Sequence, residues 1–294
     1  MDEIKSPAGL IKLRGFFLLL RPRHWLKNMF VTAPLLFSGE LVRPASIILS
    51  VLAFLCFCTA ASAVYVFNDM YDMDKDRVHP AKKHRPLTAG IIGRSEASAL
   101  LILLVPASVI NAFIMSRIFG LIILVYFINN LLYTLILKKL VIIDAMSVAA
   151  GFLLRVAGGA AVIDVEMSPW LILCTFLLAL MLGLGKRKNE LTALGESAAN
   201  HRLILNCYTR EMTDSMLSAV SAASILSYSL YTFFSNDKWY YIFTTLFVIY
   251  GILRYLYLLN SKNPAVGPEE ILFSDAPTVV NLFLWVLASI LIIY

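Results

Sequence analysis

Charge is scarce in this chain. Asp, Glu, Lys and Arg make up 15% of its 294 residues, where soluble domains carry about a quarter. Hydrophobic residues reach 60% and the mean hydropathy is +0.79, which excludes an ordinary soluble domain. Strict apolar–polar alternation is also missing, which argues against a membrane β-barrel. The four cysteines, Cys56, Cys58, Cys174 and Cys207, lack metal-ligand spacing. Three fall in apolar blocks and one beside a loop, so they are expected to act as small buried hydrophobes. His79, His84 and His201 have no paired imidazole spacing and are not expected to bind metal. The apolar patch Phe16 to Leu20 is flanked by charge and followed by no small-residue cleavage site, so no cleavable leader is expected.

What the chain does have is a series of apolar blocks of about membrane-spanning length. They predict an all-α polytopic membrane protein with nine spans, near 28–37, 45–67, 98–113, 118–137, 144–162, 169–184, 216–234, 239–259 and 279–294. The first span starts as early as His24, and Pro106 predicts a kink in the third. The net charge of +6 implies no nucleic-acid partner, because the cations gather in alternate connections. With the N-terminus inside, only Arg43, Arg117 and Lys238 fall outside, and Arg155 lies within a span. This asymmetry predicts a multi-pass protein of the cell inner (plasma) membrane with a cytoplasmic N-terminus. The two long charged connections, 68–96 and 185–214, then face the cytoplasm within one catalytic domain covering residues 1–294.

The chain is organised around Asn68-Asp69-Met70-Tyr71-Asp72-Met73-Asp74-Lys75-Asp76-Arg77. Asp69, Asp72 and Asp76, spaced i, i+3, i+7, share one face of a helix. Three aligned carboxylates repel unless a positive charge lies among them. One reading is a solvated helix end balanced by Lys75, Arg77 and the basic run Lys82-Lys83-His84-Arg85-Pro86. The other is a Mg²⁺ site, with the neighbouring cations holding phosphate oxygens. The acidic helix is expected to stop before Pro80.

Further cations have both a structural and a functional reading. Arg21, Arg23 and Lys27, near Trp25, suit a headgroup anchor or the wall of a phosphate site. Arg155 inside a span is expensive unless paired, facing a cavity, or snorkelling. Asp144 lies about three helical turns earlier on the same face, too far to pair with it directly. The sixth span runs into Gly185-Lys186-Arg187-Lys188-Asn189-Glu190, with Glu196, His201, Arg202, Tyr208 and Arg210 beyond. Acids, cations and a membrane setting suit the joining of a soluble phosphorylated substrate to a lipid.

The pattern Asn68-Asp69-x-x-Asp72-x-x-x-Asp76 resembles the first aspartate-rich motif of the UbiA superfamily of intramembrane prenyltransferases. That resemblance implies nine transmembrane helices around a central cavity. Typical members carry a second aspartate-rich motif after the sixth helix; here Lys186 to Glu190 and Leu194-Gly195-Glu196 stand there instead. In this the chain is similar to the decaprenyl-phosphate phosphoribosyltransferase branch. Arg21 to Asn28, Asn68 to Gly90 with His79-Pro80 and Arg85-Pro86, Tyr133 to Lys138 with Asp144, Gly151 to Gly159, and Lys186 to Gly195 carry the similarity.

The resemblance implies Mg²⁺-dependent transfer of 5-phosphoribosyl from 5-phospho-α-D-ribose 1-diphosphate to a polyprenyl phosphate of decaprenyl type, as in cell-wall biosynthesis. Asp69, Asp72 and Asp76 are then the catalytic metal ligands, supported by Asn68. Lys82, Lys83 and Arg85 bind diphosphate or the 5-phosphate. Lys138, Arg155, Lys186 and Arg187 are the other phosphate candidates, and Glu190 serves a ribose hydroxyl or the metal side. Arg21 and Lys27 hold the lipid phosphate. The rivals are a prenyltransferase with a prenyl diphosphate donor and an aromatic or quinone-precursor acceptor, a transporter with broken spans at Gly158-Gly159, and a membrane scaffold. Lipid length and oligomeric state are open at this level.

Overall fold

A computed structural model of the chain describes residues 8–77, 82–194, 203–234, 238–261 and 274–294. Eleven α-helices are assigned among them, with short 3₁₀ segments and no strand: α1 Ala8–Leu20, α2 Ala33–Phe37, α3 Pro44–Tyr71, α4 Met73–Arg77, α5 Arg94–Met115, α6 Arg117–Leu135, α7 Ile143–Val162, α8 Pro169–Leu194, α9 Arg210–Phe234, α10 Thr245–Asn260 and α11 Ala276–Ile293. Eight helical segments among the described residues are long and apolar enough to cross a membrane.

The first expected span takes another form. Pro22–Thr32 is a 3₁₀ segment of 11 residues that leads into α2. Pro22 opens it without a backbone donor, as suits a first helical position. At about 2.0 Å rise per residue it covers about 22 Å, so a stretch too short for an α-helical span gains length by winding tightly. Pro106 lies inside α5, which continues through it to Met115.

Contacts divide the chain into two compact units. The first holds residues 1–35, 43–134 and 154–165. Its core is built on α3, where Ala53, Phe57, Ala60 and Val64 meet Val31, Ala112, Phe119, Ile123 and Tyr126. Small residues let helices approach closely where lipid offers no hydrophobic drive. Gly159 shows how closely: a Cβ there would lie 1.9 Å from the carbonyl oxygen of Val31. α7 runs unbroken through Gly158 and Gly159, so these glycines are sites of close packing, and the broken-span sign of a transporter is not present there.

A second cluster in this unit joins Leu19, Val66, Leu87, Ile92 and Ala97. It seats the segment that begins at Lys82 against α1 and α3. α3 has 28 residues, about 42 Å at 1.5 Å each, against a hydrocarbon core of about 30 Å. Its excess length carries Asn68 and Asp69 toward the polar edge while they remain helical.

The second unit holds residues 36–42, 135–153 and 166–294. Ala145, Met181, Leu184, Leu217, Ile252, Tyr255 and Leu259 form its core. α8 has 26 residues, about 39 Å by the same rise, so Lys186 to Leu194 extend the helix where a loop was expected from residue 185. α9 likewise begins at Arg210, inside the expected 185–214 connection. α11 opens on Asp275, which accepts from the backbone N and Oγ1 of Thr278 and from Arg254. Arg254 and Thr278 hold the Asp275 carboxyl well below the usual carboxylate range. Cys56 and Cys58 are buried, Cys174 is intermediate, and Cys207 is exposed, unlike the buried role expected of it.

Candidate active site

The acidic stretch bends once. α3 ends at Tyr71, Asp72 caps it at φ −93°, ψ 7°, and α4 resumes at Met73. The backbone bonds Asp72 N–Asn68 O and Asp76 N–Asp72 O, both 2.9 Å, carry the helical phase across the break. Asp69 and Asp76 therefore still face one partner, as their spacing predicts. Both are buried, each 2% exposed. Asp72 sits at the break and is half-exposed. Among the described residues no group of three His, Cys, Asp or Glu side chains is placed to hold a metal. The expected three-acid face is thus a buried pair with a third carboxylate at the helix break.

Two guanidinium groups occupy that pair. Arg85 Nη1 donates to Asp69 Oδ1 at 2.9 Å and to Asp76 Oδ2 at 2.5 Å. Arg21 Nη2 donates to the same Asp69 Oδ1 at 2.5 Å. Lys82 Nζ stands 3.7 Å from Asp76 Oδ1. Arg21 reaches in from a left-handed backbone position, φ 54°, ψ 58°, between α1 and the 3₁₀ segment. A non-glycine residue pays for such a conformation only where its surroundings enforce it. Here the guanidinium also lies 5.0 Å from the Tyr65 ring centroid. Asn68 Oδ1 accepts from Thr134 Oγ1 at 2.5 Å. Lys83 is exposed and Lys27 is half-buried.

Arg155 is buried in the same unit. Its Nε donates to Asn28 Oδ1 at 2.7 Å and its Nη2 to Tyr126 Oη at 3.0 Å. Asn28 in turn donates to Cys58 Sγ at 3.3 Å. Its guanidinium ties α7 to the 3₁₀ segment and α6.

Asp144 and its partner are in the second unit. Arg187 Nε donates to Asp144 Oδ2 at 2.5 Å and its Nη1 to Glu190 Oε2 at 2.6 Å. Asp144 is 0% exposed and Arg187 1%. Tyr208 Oη donates to Asp144 Oδ1 at 2.9 Å and accepts from the backbone N of Ile142 at 2.7 Å. Burial pushes the Tyr208 phenol up to about 12, and the Asp144 charge adds to the shift. Arg187, expected to bind phosphate, has its Nε and Nη1 engaged by Asp144 and Glu190. Lys186 is exposed, and Lys138 is half-buried in the 3₁₀ turn Leu137–Lys139. Glu196, His201 and Arg202 lie outside the described residues, as do His79 and Pro80.

Sequence reasoning missed several partners. Lys188 donates to Asp214 Oδ1 at 2.5 Å and to Asn260 Oδ1 at 2.6 Å, beside a cavity of about 180 Å³. Thr134 on Asn68 and Arg21 on Asp69 were not paired in advance either. Only the i, i+7 spacing of the acids and the adjoining cations signalled this chemistry.

The fold and cluster define an all-α, multi-pass membrane protein with a buried carboxylate pair bridged by arginines. The chain belongs to the UbiA prenyltransferase family, whose profile matches residues 29–291. Within that family it closely matches decaprenyl-phosphate phosphoribosyltransferases. It is 31% identical to the one of Mycolicibacterium smegmatis over 97% of this chain and 95% of that protein. It is also 31% identical to the one of Corynebacterium glutamicum, over 95% and 87%. Its fold is similar to that of a UbiA homolog from Archaeoglobus fulgidus bound to DMAPP and Mg2+, with a TM-score of 0.73 at 20% identity, covering 95% of this chain and 98% of that one. The nine-span, UbiA-like fold expected from sequence agrees with this likeness, with the first span wound as described.

Proposed function

We propose that the protein transfers 5-phosphoribosyl from 5-phospho-α-D-ribose 1-diphosphate to a polyprenyl phosphate, releasing diphosphate, with Mg²⁺ as cofactor. The observation that carries this reading is the cluster of Asp69, Asp76, Arg21, Arg85 and Lys82, in a chain similar over nearly its whole length to relatives named for that transfer. The donor set suits magnesium. This ion takes one or two carboxylates together with substrate phosphates and keeps several waters, so a two-carboxylate pair with Asp72 at its edge fits better than a closed cage would. Asp69 and Asp76 would hold the metal. When bound, magnesium supplies charge that offsets the negative charge on the departing diphosphate.

The chain's own residues supply the rest. A lipid phosphate oxygen forms a bond to C1 of the ribose while the bond from C1 to the diphosphate oxygen breaks. The nucleophile is already ionised, so no general base is required, and positioning with electrostatic stabilisation dominates. Arg21, Arg85 and Lys82 meet the diphosphate oxygens. Asn68, oriented by Thr134, supports the acids. Lys27 is assigned to the lipid phosphate and Lys83 to the 5-phosphate. Arg155, and Arg187 with Glu190, hold helices in register. The cation distribution supports a plasma-membrane location with the N-terminus and the acidic cluster on the cytoplasmic side.

A prenyl diphosphate donor with an aromatic acceptor is the second reading, favoured by the likeness in fold to a homolog bound to DMAPP. A donor panel on the purified protein separates the two. Radiolabel from phosphoribosyl diphosphate should enter the lipid extract in a Mg²⁺-dependent way. Labelling of an aromatic acceptor from a prenyl diphosphate, with none from phosphoribosyl diphosphate, would overturn the proposal.

A further inference from the structure

We infer that Arg85 is an exchangeable counter-ion for Asp69 and Asp76, so that metal and diphosphate bind the cluster as a coupled pair. The inference deepens the reading above and rests on it in one respect, that this cluster takes a divalent ion together with a diphosphate group.

The contacts carry the argument. A single nitrogen, Arg85 Nη1, serves Asp69 Oδ1 and Asp76 Oδ2, and Arg21 Nη2 shares the first of those oxygens. Two carboxylates thus face two guanidinium groups, with Lys82 at the margin. Both acids are buried, where unbalanced charge is costly. Magnesium–oxygen contacts are about 2.0–2.1 Å long. Arg85 Nη1 is hydrogen-bonded to an oxygen of each carboxylate, so it would have to leave before those oxygens could hold an ion.

Each ligand alone therefore unbalances the cluster. Metal alone adds positive charge beside two guanidinium groups. Diphosphate alone draws Arg21 and Arg85 from carboxylates that then stand uncompensated. Arriving together, the ion takes the carboxylates and the released guanidinium groups take phosphate oxygens in their forked geometry. Each ligand then raises the affinity for the other by one common factor.

The local backbone suits a side-chain exchange. Arg85 N donates to Lys82 O at 3.0 Å, and Ala89 N donates to Arg85 O at 2.8 Å. Leu87 and Ile92, just beyond, are buried in the cluster with Leu19 and Val66. The main chain is fixed on both sides of Arg85, so only its side chain needs to move. Arg85 matters more than Arg21 here because it alone touches both acids.

The test is equilibrium binding of Mn²⁺, which suits carboxylate and water ligands, to the full-length protein in detergent, read by electron paramagnetic resonance. Wild type, Arg85→Gln and Arg85→Lys are first matched by gel filtration and unfolding temperature. Without diphosphate, Arg85→Gln should bind Mn²⁺ at least about tenfold more tightly than wild type, because a competitor for the carboxylates is gone. Arg85→Lys, which keeps the charge without the fork, should fall between them. Inorganic diphosphate should tighten Mn²⁺ binding to wild type far more than to Arg85→Gln; the solution complex of metal and diphosphate is common to both and cancels. Equal or weaker metal binding by Arg85→Gln in the absence of diphosphate overturns the exchange while leaving the metal site standing. No Mn²⁺ binding by wild type or either variant, with or without diphosphate, overturns the metal-site reading and the exchange together.

Discussion

Neutralising Asp144 should destabilise the second unit by an amount set by how much of Arg187 remains paired. Asp144 is fully buried and accepts from Arg187 and Tyr208. Removing one partner of a buried ion pair costs about 3–5 kcal/mol, chiefly because the other charge is stranded. In Asp144→Asn, Arg187 keeps Glu190 at 2.6 Å, and Glu190 is 27% exposed. That residual pairing brings the expected loss to about 2–3 kcal/mol. Arg187→Met takes the guanidinium from the more deeply buried Asp144, which keeps the Tyr208 hydroxyl, so its loss should be the larger. The double variant Asp144→Asn/Arg187→Met strands neither charge and should lose well under the sum of the two. Reversible denaturant unfolding of the three variants in one detergent gives the coupling directly. Additive losses would refute the pairing and return Arg187 to the list of substrate ligands.

Three other outcomes follow from the same contacts. Gly159→Ala places a methyl on the Val31 carbonyl, which is backbone and cannot turn aside; a loss of about 3 kcal/mol should show in thermal unfolding, and a loss below 1 kcal/mol would contradict the packing. Tyr208, pushed up to about 12 from its ordinary 10.0, keeps its proton in the folded state after the unfolded state has lost it. Stability should therefore decline as pH rises above 10, and Tyr208→Phe should remove that part of the decline in unfolding curves taken between pH 9 and 11. Asp72→Asn, at a half-exposed helix break, should cut turnover steeply with an unfolding temperature near that of wild type; unchanged turnover would remove Asp72 from the chemistry.

Much of the fold was legible because apolar blocks of spanning length have few soluble interpretations. The first span was the exception. Its residues are too few for an α-helical crossing, and the tighter 3₁₀ winding of Pro22–Thr32 depends on packing against α3 and α7 that no local pattern announces. The two contact units were not legible, since a division by contacts leaves no mark of Pro, Gly or Ser composition. At the candidate site, periodicity brought out Asp69 and Asp76, because helical phase is a local property. The partners of those acids were not legible, since Arg21 and Asp69 lie 48 residues apart and meet only through the packing of α1 on α3. The same holds for Asp144 and Arg187, separated by 43 residues. Sequence marked both as charged residues at the ends of spans; only tertiary structure shows that they neutralise each other. Arg155 is costly in a span unless paired, and Asn28 and Tyr126, 127 and 29 residues away, supply hydrogen bonds that no local pattern announces.

The proposed reaction is a transfer of phosphoribosyl to a lipid phosphate. Mass spectrometry of the lipid formed by purified protein from phosphoribosyl diphosphate, polyprenyl phosphate and Mg²⁺, with diphosphate release counted alongside, tests it most directly. The expected result is a lipid heavier by one phosphoribosyl group, one diphosphate released per lipid formed, and loss of both signals in Asp69→Asn/Asp76→Asn. Diphosphate release with an unmodified polyprenyl phosphate, or a product that forms only from a prenyl diphosphate, would contradict it.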